Sequence, residues 1–412
     1  MGLLEPNDYY ILLEVFIFLA IAQVLRSSTK QIGVPEIVAD LIVGMVLGSY
    51  ALGGVIDQAF GIQLFVVNSG VLLFADLAVV LILFSAGLGS GFSSLQRAGG
   101  WVAVAAVAGS VMTFVVTFVT FSLFYPVNSA LFIAIAVAPT STVVTASLIQ
   151  ADGQIRTPGA QFLLNASALD DVVSLVLLSV ALATLAGRST FPEIVGTGLA
   201  YVVAWVLVLL ASVVLLPRIL KIPPLRKVEG LPFALLFGLI AIVLALGFSP
   251  IIGAYIAGLA IAESVVGPRT RELTAILVGV FGALFFIIIG AEFNVGLLLD
   301  PTVVGLAVLL TLLAALAKFA GVYPTARRWA HDDRLGRAIA SGMLPRGEIG
   351  LVVGALGFGL GILTEEMLGE VLVASILTTL VGAFLFRRYS AAFAAGPDHA
   401  AGAPSPGPVD PS

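Results

Sequence analysis

Two adjacent aspartates, Asp170 and Asp171, stand in the middle of an apolar segment long enough to cross a membrane (QFLLNASALDDVVSLVLLSVALATL, residues 161–185). A charge at the centre of a bilayer costs about 3 kcal/mol or more, so leucine or alanine would fold there more easily. Adjacent residues of a helix point about 100° apart, so one carboxylate can hold an ion while the other contacts a neighbouring helix. Because close carboxylates repel each other, one of them takes up a proton readily. A group that binds either a proton or a hard cation can exchange one for the other.

Lys318 is a single cation in another apolar segment (TLLAALAKFAGVYPTARRW, residues 311–329). Its long side chain can either extend to the membrane surface or pair with an aspartate inside the protein, which lowers the cost of burying both charges. In the second case Lys318 is the counter-ion of Asp170 or Asp171. Two aspartates and one lysine leave one net negative charge, which one Na⁺ or one proton would neutralise.

A second charged pair, Arg346 and Glu348, lies in the middle of GRAIASGMLPRGEIGLVVGALGFGLGIL (residues 336–363). We predict an auxiliary ion pair between them that holds this interrupted segment together. Since the ends of half-helices also attract ions, Glu348 is alternatively a partner of Lys318.

Hydroxyl groups interrupt the segment SALFIAIAVAPTSTVVTASLIQ (residues 129–150). Thr140 and Ser141 are possible ligands in it, because hard cations prefer oxygen donors. Asn165 and Ser167 could also offer oxygens, and hydrogen bonds within or between helices explain them equally well.

The composition is that of a membrane protein. Of the 412 residues, 60% are hydrophobic and 10% are charged, against roughly a quarter charged in soluble domains. There is no cysteine, and the two histidines, His331 and His399, lie outside the apolar segments. Disulfides, thiolate metal sites and histidine-based catalysis are therefore not expected. The net charge of −5 does not indicate nucleic-acid binding. We expect neither an enzyme nor a bound cofactor.

Thirteen apolar segments are predicted to cross the membrane as helices. The first has an acidic leader and is followed by basic residues, which is typical of a retained helix with its N-terminus outside. Five acidic residues near segment ends are expected at the membrane surface: Glu14, Glu36, Asp40, Asp76 and Glu263. The predicted segments are 10–26, 35–52, 71–89, 100–124, 128–150, 159–186, 193–216, 231–248, 250–266, 273–290, 302–325, 336–361 and 367–387.

The lysines and arginines support this number of spans. With loops assigned alternately from the outside, the inside loops and the span ends that border them hold 16 of the 19, and the outside loops hold one, Arg188. The other two, Lys318 and Arg346, lie within spans. A missed helix would mix the two sets of loops, so the pattern predicts an N-out, C-in protein. We expect a multi-pass protein of the plasma membrane with a cytoplasmic C-terminus.

Two predicted spans are interrupted, the fifth at Pro139 and the twelfth at Pro345. Proline breaks the helical hydrogen-bond ladder, and nearby hydroxyls can satisfy the freed backbone groups. Counted from the fourth and the eleventh span, each interrupted helix is the second of three. The second break lies seven spans after the first in the count, and this odd offset places the triplets in opposite orientations. The pattern predicts inverted repeats with an ion site near the middle of the membrane.

Eight motifs follow one another along nearly the whole membrane region: VPEIVADLIVGMVLGSYALGG (34–54), DLAVVLILFSAGL (76–88), APTSTVV (138–144), SALDDVV (167–173), GAYIAGLAIAES (253–264), LFFIIIGAEFNV (284–295), LAKFAG (316–321) and GMLPRGEIGLVV (342–353). This ordered set resembles the monovalent cation:proton antiporter-2 family, which contains NapA-type Na⁺/H⁺ antiporters and Kef-type K⁺/H⁺ systems. After residue 88 the chain reads GSGFSSL, where the family often carries acidic residues. No segment resembles the nucleotide-binding domain of Kef-type systems, which favours a stand-alone exchanger.

The resemblance implies an all-α fold similar to that of NapA and NhaA, in which two half-unwound helices cross inside a six-helix core. It also implies a homodimer in the lipid bilayer. The tail is rich in proline and small residues and is predicted to be disordered. The implied division is a dimerisation bundle at 1–99 and 231–298, two core repeats at 100–190 and 299–390, a linker helix at 191–230 and the tail at 391–412.

The resemblance also implies roles for the charged residues. Asp171 would be the main ion- and proton-binding carboxylate, and Asp170 would pair with Lys318. In the wider superfamily, an Asp–Asp pair with this lysine goes with electrogenic exchange. We therefore expect a secondary active sodium/proton antiporter that works by alternating access, with Na⁺ (or Li⁺ or K⁺) and protons competing for a mid-membrane aspartate. The alternatives are a Kef-type K⁺/H⁺ antiporter, a gated monovalent cation channel on the same fold, and an organic-anion symporter of related fold.

Overall fold

The computed structural model describes residues 6–32, 36–62, 64–93, 99–151, 154, 157–185, 191–246 and 249–395. In these ranges the regular structure is helical throughout. Most of the predicted tail, from residue 396 onward, lies outside the described residues. The helices are α1 Pro6–Ile32, α2 Glu36–Leu47, α3 Leu52–Phe60, α4 Ser69–Ser90, α5 Gly99–Phe121, α6 Val127–Ala136, α7 Thr142–Ala151, α8 Pro158–Leu185, α9 Phe191–Lys221, α10 Pro223–Arg226, α11 Leu231–Ala245, α12 Pro250–Ala262, α13 Gly267–Glu292, α14 Pro301–Ala330, α15 Asp333–Gly342, α16 Glu348–Gly359, α17 Glu365–Tyr389 and α18 Ala392–Ala395, with a 3₁₀ turn at Val295–Leu299.

The predicted set of about thirteen spans is confirmed in the described part of the chain. Nine segments are long and apolar enough to cross a membrane, and the shorter apolar helices α11 and α12 match the eighth and ninth predicted spans. The half-helices α6 and α7 form the interrupted fifth span, and α15 and α16 form the interrupted twelfth. The prediction missed α3, because its sequence LGGVIDQAF combines two glycines with a charge and resembles a loop.

The helices pack in two groups. In the first, α4 packs on α12 and α13, α2 packs on α13, and α11 packs on α12; we call α1–α4 and α11–α13 the flanking helices. In the second, α5 packs on α14 and α8, and α14 packs on α15 and α17; we call α5–α8 and α14–α17 the site helices. Helix α9 contacts both α8 and α12 and so connects the two groups.

Glycine lets α4 and α12 approach until their backbones touch. A Cβ atom at Gly87 would lie 2.2 Å from the carbonyl oxygen of Tyr255, and one at Gly258 would lie 2.3 Å from that of Phe84. Helices associate closely in membranes through such small residues, because lipid offers no hydrophobic drive for association. The two helices therefore form a stiff pair within the flanking group.

The two interrupted spans cross each other at their breaks. The Ser141 amide donates to the carbonyl of Pro345 at 2.8 Å, and Thr140 Oγ1 donates to the carbonyl of Met343 at 2.9 Å. Where the half-helices pass, a Cβ atom at Gly350 would lie 2.2 Å from the Ala136 carbonyl oxygen. Backbone groups freed by the prolines thus find partners in the opposite break, as the absence of water in the bilayer requires.

Candidate functional site

Asp170 and Lys318 form a fully buried ion pair between α8 and α14. Lys318 Nζ lies 2.5 Å from Asp170 Oδ1 and 2.6 Å from Oδ2, and both side chains are 0% exposed. The ammonium also donates to the Ala138 carbonyl at 2.7 Å, in the unwound stretch after α6. Ser110 Oγ on α5 donates a short hydrogen bond to Asp170 Oδ1. These bonds compensate both charges, as buried ions require.

The neighbouring helix α5 makes room for the lysine. A Cβ atom at Gly109 would lie 3.3 Å from Lys318 Cδ and 2.7 Å from Val322 Cγ2. Because Gly109 has no side chain, the lysine stem can lie flat against α5 while its ammonium reaches Asp170. The ammonium is held inside the protein, so the snorkelling alternative for Lys318 does not apply in this structure.

Asp171 has different surroundings from the residue beside it. Its side chain is 1% exposed, and Oδ2 accepts a hydrogen bond from Thr142 Oγ1 at 3.2 Å. Thr142 Oγ1 also lies 2.8 Å from Ser167 Oγ. The other oxygen, Oδ1, accepts no hydrogen bond from the described part of the chain. A buried carboxylate oxygen in this condition is costly as an anion and is stabilised by a proton or a cation.

Glu348 is the first residue of α16 and faces the unwound stretch of the other interrupted span. Ser141 Oγ donates to Glu348 Oε2 at 2.8 Å, which ties the two breaks together through side chains. A carboxylate at a helix N-terminus is also favoured by the helix dipole. Ser141 and Thr140, the predicted cation ligands, thus use their hydroxyl protons to hold the crossing. The hydroxyl that contacts Asp171 belongs to the next residue, Thr142.

Arg346 is buried in the same crossing but does not form the expected ion pair with Glu348. Its Nη1 donates to the Met343 carbonyl at 3.1 Å and its Nη2 to the Ala314 carbonyl at 3.2 Å. Met343 follows the last turn of α15, where carbonyls lack helical partners and carry partial negative charge. The guanidinium therefore stabilises the end of a half-helix, while Glu348 bonds to Ser141.

The sequence did not indicate several polar residues that the structure buries. Ser110 and Thr142 contact the aspartates, although both resemble ordinary hydroxyls within apolar helices. Glu14 and Asp40, expected at the membrane surface, are 1% and 0% exposed. Asp40 accepts a hydrogen bond from Arg26 Nε at 2.7 Å, a pairing that no local sequence spacing predicts.

The donor set around Asp171 suits a monovalent cation. In the described ranges, no group of three or more His, Cys, Asp and Glu side chains is placed to hold a metal ion. Thr142 Oγ1 contacts Asp171, and Ser167 Oγ contacts Thr142 Oγ1 in turn. Carboxylate and hydroxyl oxygens are the donors that hard cations prefer. One carboxylate among neutral oxygens can offset a single positive charge.

Comparisons with known proteins show which transporters the chain is similar to. The chain is 26% identical to the Na(+)/H(+)-K(+) antiporter GerN of Bacillus cereus over 386 residues, which are 90% of this chain and 95% of the relative. It is 24% identical to a Na(+)/H(+) antiporter of Enterococcus hirae over 378 residues, which are 88% and 93% of the two chains.

The fold is similar to that of a solved transporter. The structure of the sodium proton antiporter MjNhaP1 from Methanocaldococcus jannaschii superimposes with a TM-score of 0.70 at 17% sequence identity, covering 94% of this chain and 99% of the other. The family model described as "Sodium/hydrogen exchanger, transmembrane" matches residues 15–389, from the first helix to the end of α17. The predicted membership in a cation/proton antiporter family is thereby confirmed: the chain belongs to the sodium/hydrogen exchanger family.

Proposed function

We propose that this protein exchanges Na⁺ for protons and that both ions bind at Asp171. The observation that carries this proposal is the pairing of two adjacent aspartates with different partners. Asp170 is neutralised by Lys318 at 2.5 Å, whereas Asp171 Oδ1 accepts no hydrogen bond from the described residues. One carboxylate is therefore available for an ion, and a proton and a cation cannot occupy it together. Competition for a single site couples the two fluxes.

The charges around the site support a single ion at a time. Asp170 and Lys318 cancel as a pair, and the Arg346 cation balances the Glu348 anion at the crossing without touching it. One negative charge, that of Asp171, remains. In a low-dielectric interior this charge is strongly disfavoured unless one Na⁺ or one proton compensates it.

We propose further that exchange moves net charge. When a cation is bound and draws Asp170 toward it, Lys318 loses its partner, and an unpaired buried ammonium releases its proton readily. Asp171 releases a second proton when the cation binds. Two protons would then cross for each cation, and the membrane potential would drive the exchange.

The packing supports different roles for the two helix groups in transport. The site helices carry Asp170, Asp171, Lys318 and Glu348, and the flanking helices carry none of them. We propose that the site helices are the moving core and that α9 is the linker. The flanking helices would form the dimerisation bundle of a homodimer. The protein would lie in the plasma membrane, with its N-terminus outside the cell and its C-terminus in the cytoplasm.

K⁺ is a second candidate for the transported cation, since one relative is named a Na(+)/H(+)-K(+) antiporter. Hydroxyl and carboxylate oxygens bind Na⁺, Li⁺ and K⁺ alike, and the choice depends on cavity size. The deciding experiment measures proton movement in proteoliposomes that contain the purified protein, a preset pH gradient and a pH-sensitive dye, with Na⁺, Li⁺ or K⁺ added in turn.

We expect Na⁺ to dissipate the gradient in wild-type vesicles and not in vesicles with Asp171→Asn. A potassium-selective response would assign the K⁺/H⁺ exchange instead. Cation flux without proton movement, at rates that rise linearly with concentration, would identify a channel and refute the proposal. Vesicles clamped at two membrane potentials then test whether charge moves: equal exchange rates at both potentials would rule out electrogenic exchange.

A further inference from the structure

A tyrosine on a flanking helix is bonded to the helix that carries the two aspartates. Tyr255 of α12 is 0% exposed, and its hydroxyl donates to the carbonyl oxygen of Ala168 on α8 at 3.3 Å. Ala168 lies one helical turn before Asp171. Ser90 of α4, on the tyrosine's own side of the contact, is a second neighbour of this hydroxyl. A buried polar contact therefore joins the two helix groups at the level of the proposed transport site.

The hydroxyl has a reason to remain in this position. A buried phenol requires a hydrogen-bond partner, and a phenylalanine would fill the same space without that requirement. Ala168 lies inside α8, so its carbonyl already serves the helical ladder, and its second lone pair can accept from the tyrosine. The tyrosine can therefore form this bond without any rearrangement within α8, and whether the bond forms depends only on where α8 lies relative to α12.

Tyr255 is fixed on its own side of the contact. The backbones of α4 and α12 touch at this residue, since a Cβ atom at Gly87 would lie 2.2 Å from the Tyr255 carbonyl oxygen. Close-packed helices resist sliding, because any shift forces atoms into contact. If the helix groups move relative to each other, it is Ala168 that moves away from the hydroxyl. A slide of one turn, about 5.4 Å, breaks a hydrogen bond of this length.

We propose that Tyr255 is a positioning residue whose hydroxyl holds α8 against α12 in the conformation described here, and so sets how often the site helices leave it. This inference rests on the proposed alternating-access exchange. A contact present in one state and absent in the other shifts the ratio of the two populations by its own free energy. Tyr255 thereby acts on Asp171 through the position of α8, without binding the ion.

The test uses a distance that reports the position of one helix group relative to the other. The sequence has no cysteine, so cysteines at two exposed positions can be spin-labelled without background. Val265, 52% exposed after α12, and Arg334, exposed in α15, place one label on each group. Distance distributions of the full chain in lipid nanodiscs are compared with Tyr255 intact and with Tyr255→Phe. The control is Tyr323→Phe, which removes a hydroxyl bonded to Asp333 within the site helices.

We expect Tyr255→Phe to lower the population with the distance seen here, relative to the other population, by about twofold to tenfold. This range follows from the net free energy of one hydrogen bond. Tyr323→Phe should leave the ratio unchanged. An unchanged distribution in Tyr255→Phe, or an equal shift in both variants, would overturn the inference. So would a Tyr255→Phe protein that does not fold, because loss of a holding bond leaves the packing intact.

Flux measurements on the labelled wild-type background separate this inference from the proposed function. A background protein that exchanges no cation for protons refutes the proposed function, whatever the distances show. A background protein that exchanges normally, with an unchanged distance distribution in Tyr255→Phe, refutes only the role of Tyr255.

Discussion

Lys318 Nζ lies 2.5 Å from Asp170 Oδ1, whereas the adjacent Asp171 accepts its hydrogen bond from Thr142 at the start of α7. Neighbouring residues of a helix point about 100° apart, so the two carboxylates face different neighbours although they are chemically identical. One is held in a fixed charge pair, and the other has an oxygen without a hydrogen bond from the described residues. Substitutions at the two positions should therefore have different consequences.

Asp171→Asn should abolish exchange and leave folding intact. The amide keeps the size of the side chain and can still accept from Thr142, but it carries no charge to hold a cation and takes up no proton. Exchange in proteoliposomes should fall to the level of protein-free vesicles, while the unfolding temperature changes little. Glu272→Gln is the control, because that carboxylate is exposed and pairs on the surface with Arg269. Normal exchange by Asp171→Asn would remove Asp171 from the mechanism.

Lys318→Gln should destabilise the protein by about 3–5 kcal/mol, because it leaves the Asp170 carboxylate buried without its counter-charge. The double variant Asp170→Asn with Lys318→Gln should recover most of this loss, since no uncompensated charge remains. Thermal unfolding in detergent measures both effects. Equal destabilisation by the single and the double variant would show that the ion pair is not the source of the loss.

The same double variant separates stability from transport. It should fold nearly as well as the wild-type protein, yet its exchange should no longer respond to membrane potential, because the second proton-carrying group is gone. The measurement is the exchange rate in vesicles clamped at two potentials. A double variant that responds to potential as the wild type does would exclude Lys318 as a carrier of charge.

Ser110→Ala should cost about 1–3 kcal/mol, because it removes a hydroxyl that donates to the buried Asp170 carboxylate. Thr113→Val on the same helix is the matched control. Its hydroxyl bonds to the Gly109 carbonyl of its own helix, and loss of such a bond has little effect on stability. Chemical or thermal unfolding should therefore show that Ser110→Ala is clearly less stable than Thr113→Val. Equal stabilities would mean that Ser110 contributes nothing to the charge pair.

Gly350→Ala should disrupt the crossing of the half-helices. The added Cβ atom would lie 2.2 Å from the Ala136 carbonyl oxygen, so the two interrupted spans must separate, and we expect a loss of about 2 kcal/mol or more together with loss of exchange. Gly359→Ala lies at the other end of α16, where a Cβ atom meets nothing within 4 Å. That variant should be neutral or slightly stabilising, since alanine favours the helix. Similar unfolding temperatures for the two variants would argue against the close crossing.

The pattern of apolar segments and basic loops was sufficient to predict the helical architecture. Apolar segments in lipid have to be helical, because every backbone group must find a partner without water. The prolines at positions 139 and 345 likewise marked both breaks, since proline cannot complete the ladder. Helix α3 was missed because a short segment with two glycines and a charge lacks the length and hydropathy of a span.

Burial of individual polar residues was harder to predict. Asp40 and Glu14 lie near the ends of predicted spans, and the structure buries both. Hydropathy describes how a residue prefers to be solvated, and it carries no information on whether its neighbour is lipid, water or another helix. The Arg26 partner of Asp40 lies on a different helix, 14 residues earlier, so only the packing of α1 on α2 brings the two together.

The sequence by itself determined that two carboxylates and one lysine lie inside apolar helices, and the charge cost of that placement was enough to indicate ion exchange. Only the tertiary structure decided how these groups are paired. Asp170 meets Lys318 because α5 packs on both α8 and α14 and brings these two helices together. Glu348 meets Ser141, where Arg346 was expected, because the two breaks cross. Side-chain contacts between distant helices depend on helix rotation and on crossing geometry, and a shift of a few ångströms exchanges one partner for another. Residue types and spacing do not contain that information, which is why Ser110, Thr142 and Tyr255 were found only in the folded protein.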